Sequence, residues 1–302
     1  MSIKHFILSH KFLYETYFFL NKKKINRNKL DKKILLIEHG KFCILLKRQK
    51  SDVIVSLTSY GERLEDLKYT LLSLIQQSVE PGKIIVWLED GENLPKNLHA
   101  FEKYGVEFAF CKDIRSYTKL VPALCKYPTK NIVTADDDIF YNKNWLKKLV
   151  EEKKKNPECI VAHIAHQVRF DSNGKLLPYN YWKHNVLLKD ASRFLFAAGV
   201  GGVLWNSSDF DKDICNEELF TKLAPKADDV WFYFMSAVLK GTKIKVVKHP
   251  CNHLRYVDIY KEYGLNEKST LAMENVEKNL NDKQIQNIMD YYGIKDLKNL
   301  IS

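Results

Sequence analysis

No stretch of the 302-residue chain stays apolar for the ~18 to 20 residues that crossing a bilayer requires, and no small-residue cleavage site follows a hydrophobic region, so neither a membrane span nor an export signal is expected. No GxGxxG follows the first strand-like run, where the sequence reads TSYGERL, and neither GxxxxGKS nor GxxxxGKT occurs. A dinucleotide dehydrogenase and a P-loop enzyme are thereby excluded. Cysteine is sparse and unpatterned. Cys43, Cys111, Cys125, Cys159, Cys215 and Cys251 form no CxxC pair and no metal-ligand spacing, which excludes a zinc site and a disulfide frame and reads as reduced thiols. Internal repeats and low-complexity tracts are missing too. Acidic residues are scarce in the first 50 positions, with 3 Asp+Glu against 13 Lys+Arg, so +10 of the formal +11 resides there and the remainder is nearly neutral. That distribution excludes a nucleic-acid-binding core and describes a neutral domain with a basic appendage.

The 45% hydrophobic content is ample for a core. The appendage begins with Ile3, Phe6, Ile7, Leu13, Tyr14, Tyr17 and Phe18 at helical spacing, followed by Lys22, Lys23, Lys24, Arg27 and Lys29. Such a segment suits either an anionic membrane surface, contacted through residues 1–30, or a helix docked on the protein's own core. Residues 34–46, ILLIEHGKFCILL, predict a small hairpin around Gly40. The layout read from these patterns is an appendage over 1–50, a catalytic domain over 51–255 and a helical appendage over 256–302. In the last, Asn281, Gln284, Ile285, Ile288 and Met289 predict a capped helix ending near Gly293.

From Asp52 onward the pattern is regular. VIVSL (53–57), KIIVWL (83–88), VEFAF (106–110) and NIVTA (131–135) read as strands. Leu64, Leu67, Leu71, Leu74 and Ile75 predict a helix, as do Ser116 to Tyr127 and the segment NWLKKLV. Alternating strands and helices mean an α/β fold with a mostly parallel central sheet, whose ligands gather at the carboxyl ends of the strands. The residues just past those ends are Thr58, Ser59, Tyr60 and Arg63, then Glu89 and Asp90, then Asp113. Together they compose a candidate nucleotide pocket.

The fourth strand ends in three consecutive acids, Asp136, Asp137 and Asp138. Adjacent carboxylates repel unless a cation or hydrogen-bond donors neutralise them, so a cluster at the end of a buried strand asks for a hard divalent metal. Which of the three would ligate it stays open. Gly199, Gly201 and Gly202 in AAGVGGVLW suggest close backbone approach, to a ligand or to another strand. Asp228 and Asp229 open an apolar helix, ADDVWFYFMSAVL (227–239), and two acids exceed what a cap requires. His249 follows the strand TKIKVVKHP, with His253 four residues later, and is a candidate further ligand.

In order, these features resemble the GT-A fold of nucleotide-sugar glycosyltransferases, and more narrowly bacterial glycosyltransferase family 2 and its polysaccharide- and lipopolysaccharide-building relatives. The resemblance spans about residues 52–255: the nucleotide-binding half, an acidic DxD motif at Asp136 to Asp138, a glycine loop, an acidic pair in the xED position and a C-terminal histidine. It implies a donor, a UDP-sugar by family analogy, held by the strand-end residues with Asp136, Gly201 and Gly202. It also implies Mn2+ or Mg2+ at Asp136, Asp137 and Asp138 with His249, and Asp229 as the base that deprotonates an acceptor hydroxyl in one inverting displacement. Where many relatives carry Glu-Asp this chain has Asp228-Asp229, so the register of the base stays open. The implied acceptor is a glycan or lipid-linked oligosaccharide, and the implied location is the cytoplasm or the cytoplasmic face of the inner membrane. A nucleotidyltransferase and an inactive sugar-nucleotide binder are the other classes, and TSYGERL lacks the Gly-rich basic loop of the former.

Overall fold

The computed structural model describes residues 27–44, 48–251, 255–257 and 279–302. The four strands expected from apolar runs form: β1 (Ile54–Thr58), β2 (Lys83–Glu89), β3 (Val106–Cys111) and β4 (Ile132–Thr134). Five further strands of three residues follow: β5 (Ile160–Ala162), β6 (Ala165–Gln167), β7 (Leu195–Ala197), β8 (Val203–Trp205) and β9 (Ile244–Val246). Seven of them make one sheet in the order β9-β5-β8-β4-β1-β2-β3, in which only β8 runs antiparallel to its neighbours. β6 and β7 pair separately as a two-stranded antiparallel sheet, with His166 opposite Phe196.

Successive strand residues feed opposite apolar layers. Ile54, Ile85, Trp87 and Ile132 face one, and Val55, Ile84, Val86 and Val133 the other, as the period of a strand buried on both faces dictates. The second layer is completed by helices α1 (Arg27–Glu38), α2 (Leu64–Ile75) and α4 (Trp145–Lys155). The first is completed by α3 (Val121–Lys126), α5 (Glu217–Leu223), α6 (Asp228–Tyr233), α7 (Leu280–Tyr291) and α8 (Leu297–Ile301). α6 runs on into a π-helical stretch, Phe234–Lys240. The result is a helix–sheet–helix α/β architecture.

Three local expectations are corrected. Among the described residues 34–44 the expected hairpin is absent: Leu30, Ile34 and Ile37 recur at three- and four-residue spacing, are buried, and make α1 one docked helix that ends before Gly40. Arg27 ties its start to Asp66 at 2.9 Å, and Asp31 accepts from the Tyr69 hydroxyl at 2.6 Å. The expected helix over Ser116 to Tyr127 is broken into a 3-10 turn, Arg115–Lys119, and α3, because Pro122 has no N–H to continue a preceding helix and suits a helix start. The C-terminal helix forms as α7, but without the expected cap: Asn279 occupies the N-cap position and its side chain makes no capping hydrogen bond, while Asn281 lies inside the helix. Residues 1–26 and His253 lie outside the described residues. No helix among those described is long and apolar enough to cross a membrane.

Candidate functional site

Strand order fixes where a site forms. The chain runs from β1 outward through β2 to β3, then crosses to β4 on the other side of β1, so the sheet reverses its winding between β1 and β4. Loops leaving two neighbouring parallel strands in opposite directions open a crevice at their carboxyl ends. The residues beyond β1 and those beyond β4 meet there.

Asp137 is the anchor of that junction. The Ser59 hydroxyl donates to its Oδ2 at 2.7 Å, Arg63 Nε donates to the same oxygen at 2.8 Å, and Arg63 Nη2 donates to Oδ1. The Thr70 hydroxyl donates to its carbonyl at 2.6 Å. The carboxylate is 6% exposed and bidentately held, so Asp137 fastens the β4 loop to α2 and is not presented to a ligand. The Asp137 hydrogen bond holds the Arg63 guanidinium above its already high ordinary pKa, against the effect of burial. Arg63 also approaches Asp138 at 3.2 Å and lies 5.7 Å from the exposed Tyr60 ring.

The other expected pocket residues take separate places. Thr58 donates through Oγ1 to the Trp87 carbonyl at 3.0 Å, a contact between β1 and β2. Glu89 and Asp90 are exposed at the end of β2. Asp113, also exposed, accepts from the Arg115 N–H at 2.7 Å and supports the left-handed turn at that residue. Gly201 and Gly202 correct the expectation of a glycine cradle for a ligand: a Cβ on Gly202 would lie 2.5 Å from the Trp145 ring, and one on Gly201 2.8 Å from Ile164. Both are packing glycines. His249 is exposed, and among the described residues no three His, Cys, Asp or Glu side chains are grouped to hold a metal, neither the acidic triplet by itself nor the triplet with His249.

The residue absent from the expectations is Lys119. Its ammonium, only 12% exposed, sits 3.0 Å from Asp228 Oδ2 and 4.0 Å from Asp136 Oδ1, bridging the β4 end to the start of α6. Burial alone would lower its pKa, but the charges of Asp228, Asp136 and Asp229 outweigh it and hold the group firmly protonated. The signal lay in SYTKLVPAL, where one lysine interrupts an otherwise apolar face.

Asp228 and Asp229 form the other wall. Neither caps the helix, since the N-cap is Ala227 and no side chain bonds there. Asp229 Oδ2 accepts from the Gly199 N–H at 3.0 Å, while its Oδ1 is shielded from solvent and has no hydrogen-bond partner. Gly199 is the loop glycine that the site needs. A Cβ there would stand 2.6 Å from Asp229 Oδ1 and 3.0 Å from Lys119 Nζ. Burial, then the Asp228 charge, push Asp229 up to about 7, opposed by Lys119 and the Gly199 N–H. Burial likewise raises Asp136, to about 6, against the pull of Lys119. Tyr179 is close enough for the Asp229 charge to add to burial in raising its phenol.

The site thus gathers five carboxylates, Asp136, Asp137, Asp138, Asp228 and Asp229, around two cations, Arg63 and Lys119. It contains a buried acid poised near neutrality beside a sheet crevice, an arrangement suited to removing a proton.

No family model and no curated protein matches the chain. Among solved structures it is similar to S. aureus TarS 1–349 in complex with UDP, at 13% identity and a TM-score of 0.43, covering 81% of this chain and 73% of that one. It is also similar to 4-diphosphocytidyl-2C-methyl-D-erythritol synthase, at 12% identity and a TM-score of 0.41, covering 73% and 99%. A third is CMP:2-keto-3-deoxy-manno-octonic acid synthetase complexed with CTP, at 11% identity and a TM-score of 0.38, covering 66% and 88%. Such likeness assigns neither reaction nor substrate to this chain.

Proposed function

We propose that the chain transfers a glycosyl group from a nucleoside-diphosphate sugar, a UDP-sugar by family analogy, to a hydroxyl of a glycan or lipid-linked oligosaccharide, with Asp229 as general base. The observation that carries this reading is the unpartnered, buried Oδ1 of Asp229, on a carboxyl raised to about 7 and set beside the acidic end of β4 at the crevice. A sugar hydroxyl is a poor nucleophile at neutral pH. A carboxylate with a free lone pair takes its proton as the oxygen attacks the anomeric carbon, and a single displacement inverts that carbon. Asp228 Oδ2 is likewise buried without a hydrogen bond, but it stands 3.0 Å from the Lys119 ammonium, which makes Asp228 the weaker candidate.

A divalent cation would balance the charge of these acids. Five carboxylates against two cations leave the crevice negative, and a diphosphate would add to the imbalance. Hard divalent ions characteristically take one or two carboxylates and complete their shell with substrate phosphates. Asp136 and Asp138, either side of the anchored Asp137, are the residues that would hold Mn2+ or Mg2+. When bound, it supplies charge neutralisation to the departing nucleoside diphosphate. Lys119 holds Asp228 in place at 3.0 Å, and the Gly199 N–H aims Asp229.

The test is a screen of nucleotide sugars for nucleoside-diphosphate release and thermal stabilisation, with and without Mn2+. Release dependent on Asp229 supports the reading. Pyrophosphate release from a nucleoside triphosphate would replace it with nucleotidyl transfer, and stabilisation with no turnover would replace it with a binding role.

A further inference from the structure

Cys125 and Cys215 are 90 residues apart in the chain, yet their sulfurs stand 3.3 Å apart. Cys125 lies in the last turn of α3, and Cys215 ends the 3-10 turn Lys212–Cys215 just ahead of α5. A disulfide bond is about 2.05 Å long, so the two sulfurs need to close by only roughly 1.3 Å to be joined. Cys125 is exposed and Cys215 partly buried, so one sulfur is open to a reagent and the other waits behind it. We propose that Cys125 and Cys215 are a thiol–disulfide exchange site, with Cys125 as attacking and Cys215 as resolving thiol, whose substrate is a low-molecular-weight disulfide.

The chemistry balances. The Cys125 thiolate attacks one sulfur of RSSR, forming a mixed disulfide and expelling RS−. Cys215 then loses its proton and attacks Cys125 Sγ, forming the internal disulfide and expelling a second RS−. The protein dithiol is oxidised by two electrons, and RSSR is reduced to two RSH. The ionisation pattern agrees with this division of roles: a hydrogen bond from Cys215 pulls Cys125 down to about 6, and the same bond, with burial, pushes Cys215 upward.

The bond would join segments already in contact. Tyr117 stacks on Phe220 at 4.1 Å and donates to the Ala224 carbonyl at 2.6 Å. α3 follows directly on Lys119, and α5 leads to Asp228, so the disulfide would staple the contact that keeps these two residues together. The inference stands on the thiol geometry and does not depend on the proposed reaction.

The experiment treats the full-length reduced protein with oxidised glutathione and reads intact mass, peptide map and thermal midpoint. The expected result is loss of two hydrogens, a linked pair of peptides containing Cys125 and Cys215, and a midpoint raised by about 5 °C or more through restraint of the unfolded chain. Cys215→Ser should stop at a glutathione adduct on Cys125, and Cys125→Ser should form neither adduct nor link at this site. A link mapping to other cysteines, a wild-type protein that ends as an adduct, or a Cys215→Ser protein unmodified at Cys125 would overturn the proposal.

Discussion

In the proposed reaction the chemistry turns on Asp229, and the environment of that side chain makes its behaviour testable. Asp229→Asn should bind donor and metal normally while slowing single-turnover transfer at least ~100-fold, the ordinary worth of a general base. Asp228→Asn should alter acceptor affinity or stability more than the chemical step. With Asp229 raised to about 7, wild-type transfer should fall as pH drops below that value, because the base is then protonated. The same shift has a sign for stability. Between an unfolded carboxyl near pH 4 and a folded one near 7, the native state holds a proton that the unfolded chain has lost, so this group's contribution is lost as pH rises through 7. Asp229→Asn should therefore melt above wild type at pH 8 and level with it near pH 4, and a lower melting point at pH 8 would contradict the raised pKa. Lys119→Met leaves Asp228 and Asp136 uncompensated and should cost about 3 kcal/mol in urea unfolding. Part of that loss should return in Lys119→Met/Asp228→Asn, whereas two independent residues would give additive losses.

At the scale of elements, α1 behaves as part of the core that supports the acidic loop. Arg27 donates to the Val257 carbonyl at 2.7 Å, and the Val257 N–H donates to the Asp138 carbonyl at 2.8 Å, so the start of α1 is linked through one residue to the triplet. Ile37 is fully buried, and Ile37→Ala should cost about 2–5 kcal/mol, measured by denaturant unfolding. A cost near zero would mean that α1 is only loosely attached. β1 to β4 and α2 were legible because strands buried on both faces read as continuous apolar runs and a one-sided helix repeats every three to four residues. β5 to β8 were not, because these short strands lie within the longer mixed or apolar stretches IVAHIAHQV and FLFAAGVGGVLW, where neither a boundary nor a period marks them. The run at 34–46 misled because apolar residues on both sides of a glycine look alike in a hairpin and in a helix followed by its terminating turn.

For the whole molecule, charge sets two expectations. The crevice is negative, so Mn2+ with a nucleoside diphosphate should raise the melting temperature more than either alone, and Asp136→Ala/Asp138→Ala should abolish the synergy. The basic charge is concentrated in the first 50 residues, so deleting residues 1–26 should lower co-sedimentation with anionic vesicles while sparing donor hydrolysis, and unchanged co-sedimentation would count against a membrane contact by this segment. By itself the sequence determined the α/β class, the places of β1 to β4 along the chain, the acids at the end of β4 and the start of α6, and the uneven charge, all properties of neighbours along the chain. Only the tertiary structure decided how those acids are used. It tied Asp137 to Arg63 and Ser59, set Lys119 between Asp136 and Asp228, turned Gly199 toward Asp229 while Gly201 and Gly202 pack on Ile164 and Trp145, and brought Cys125 to Cys215. The physical reason is that an ionisable group's state depends on burial and on the charges within a few ångströms, and those neighbours come from segments tens of residues away.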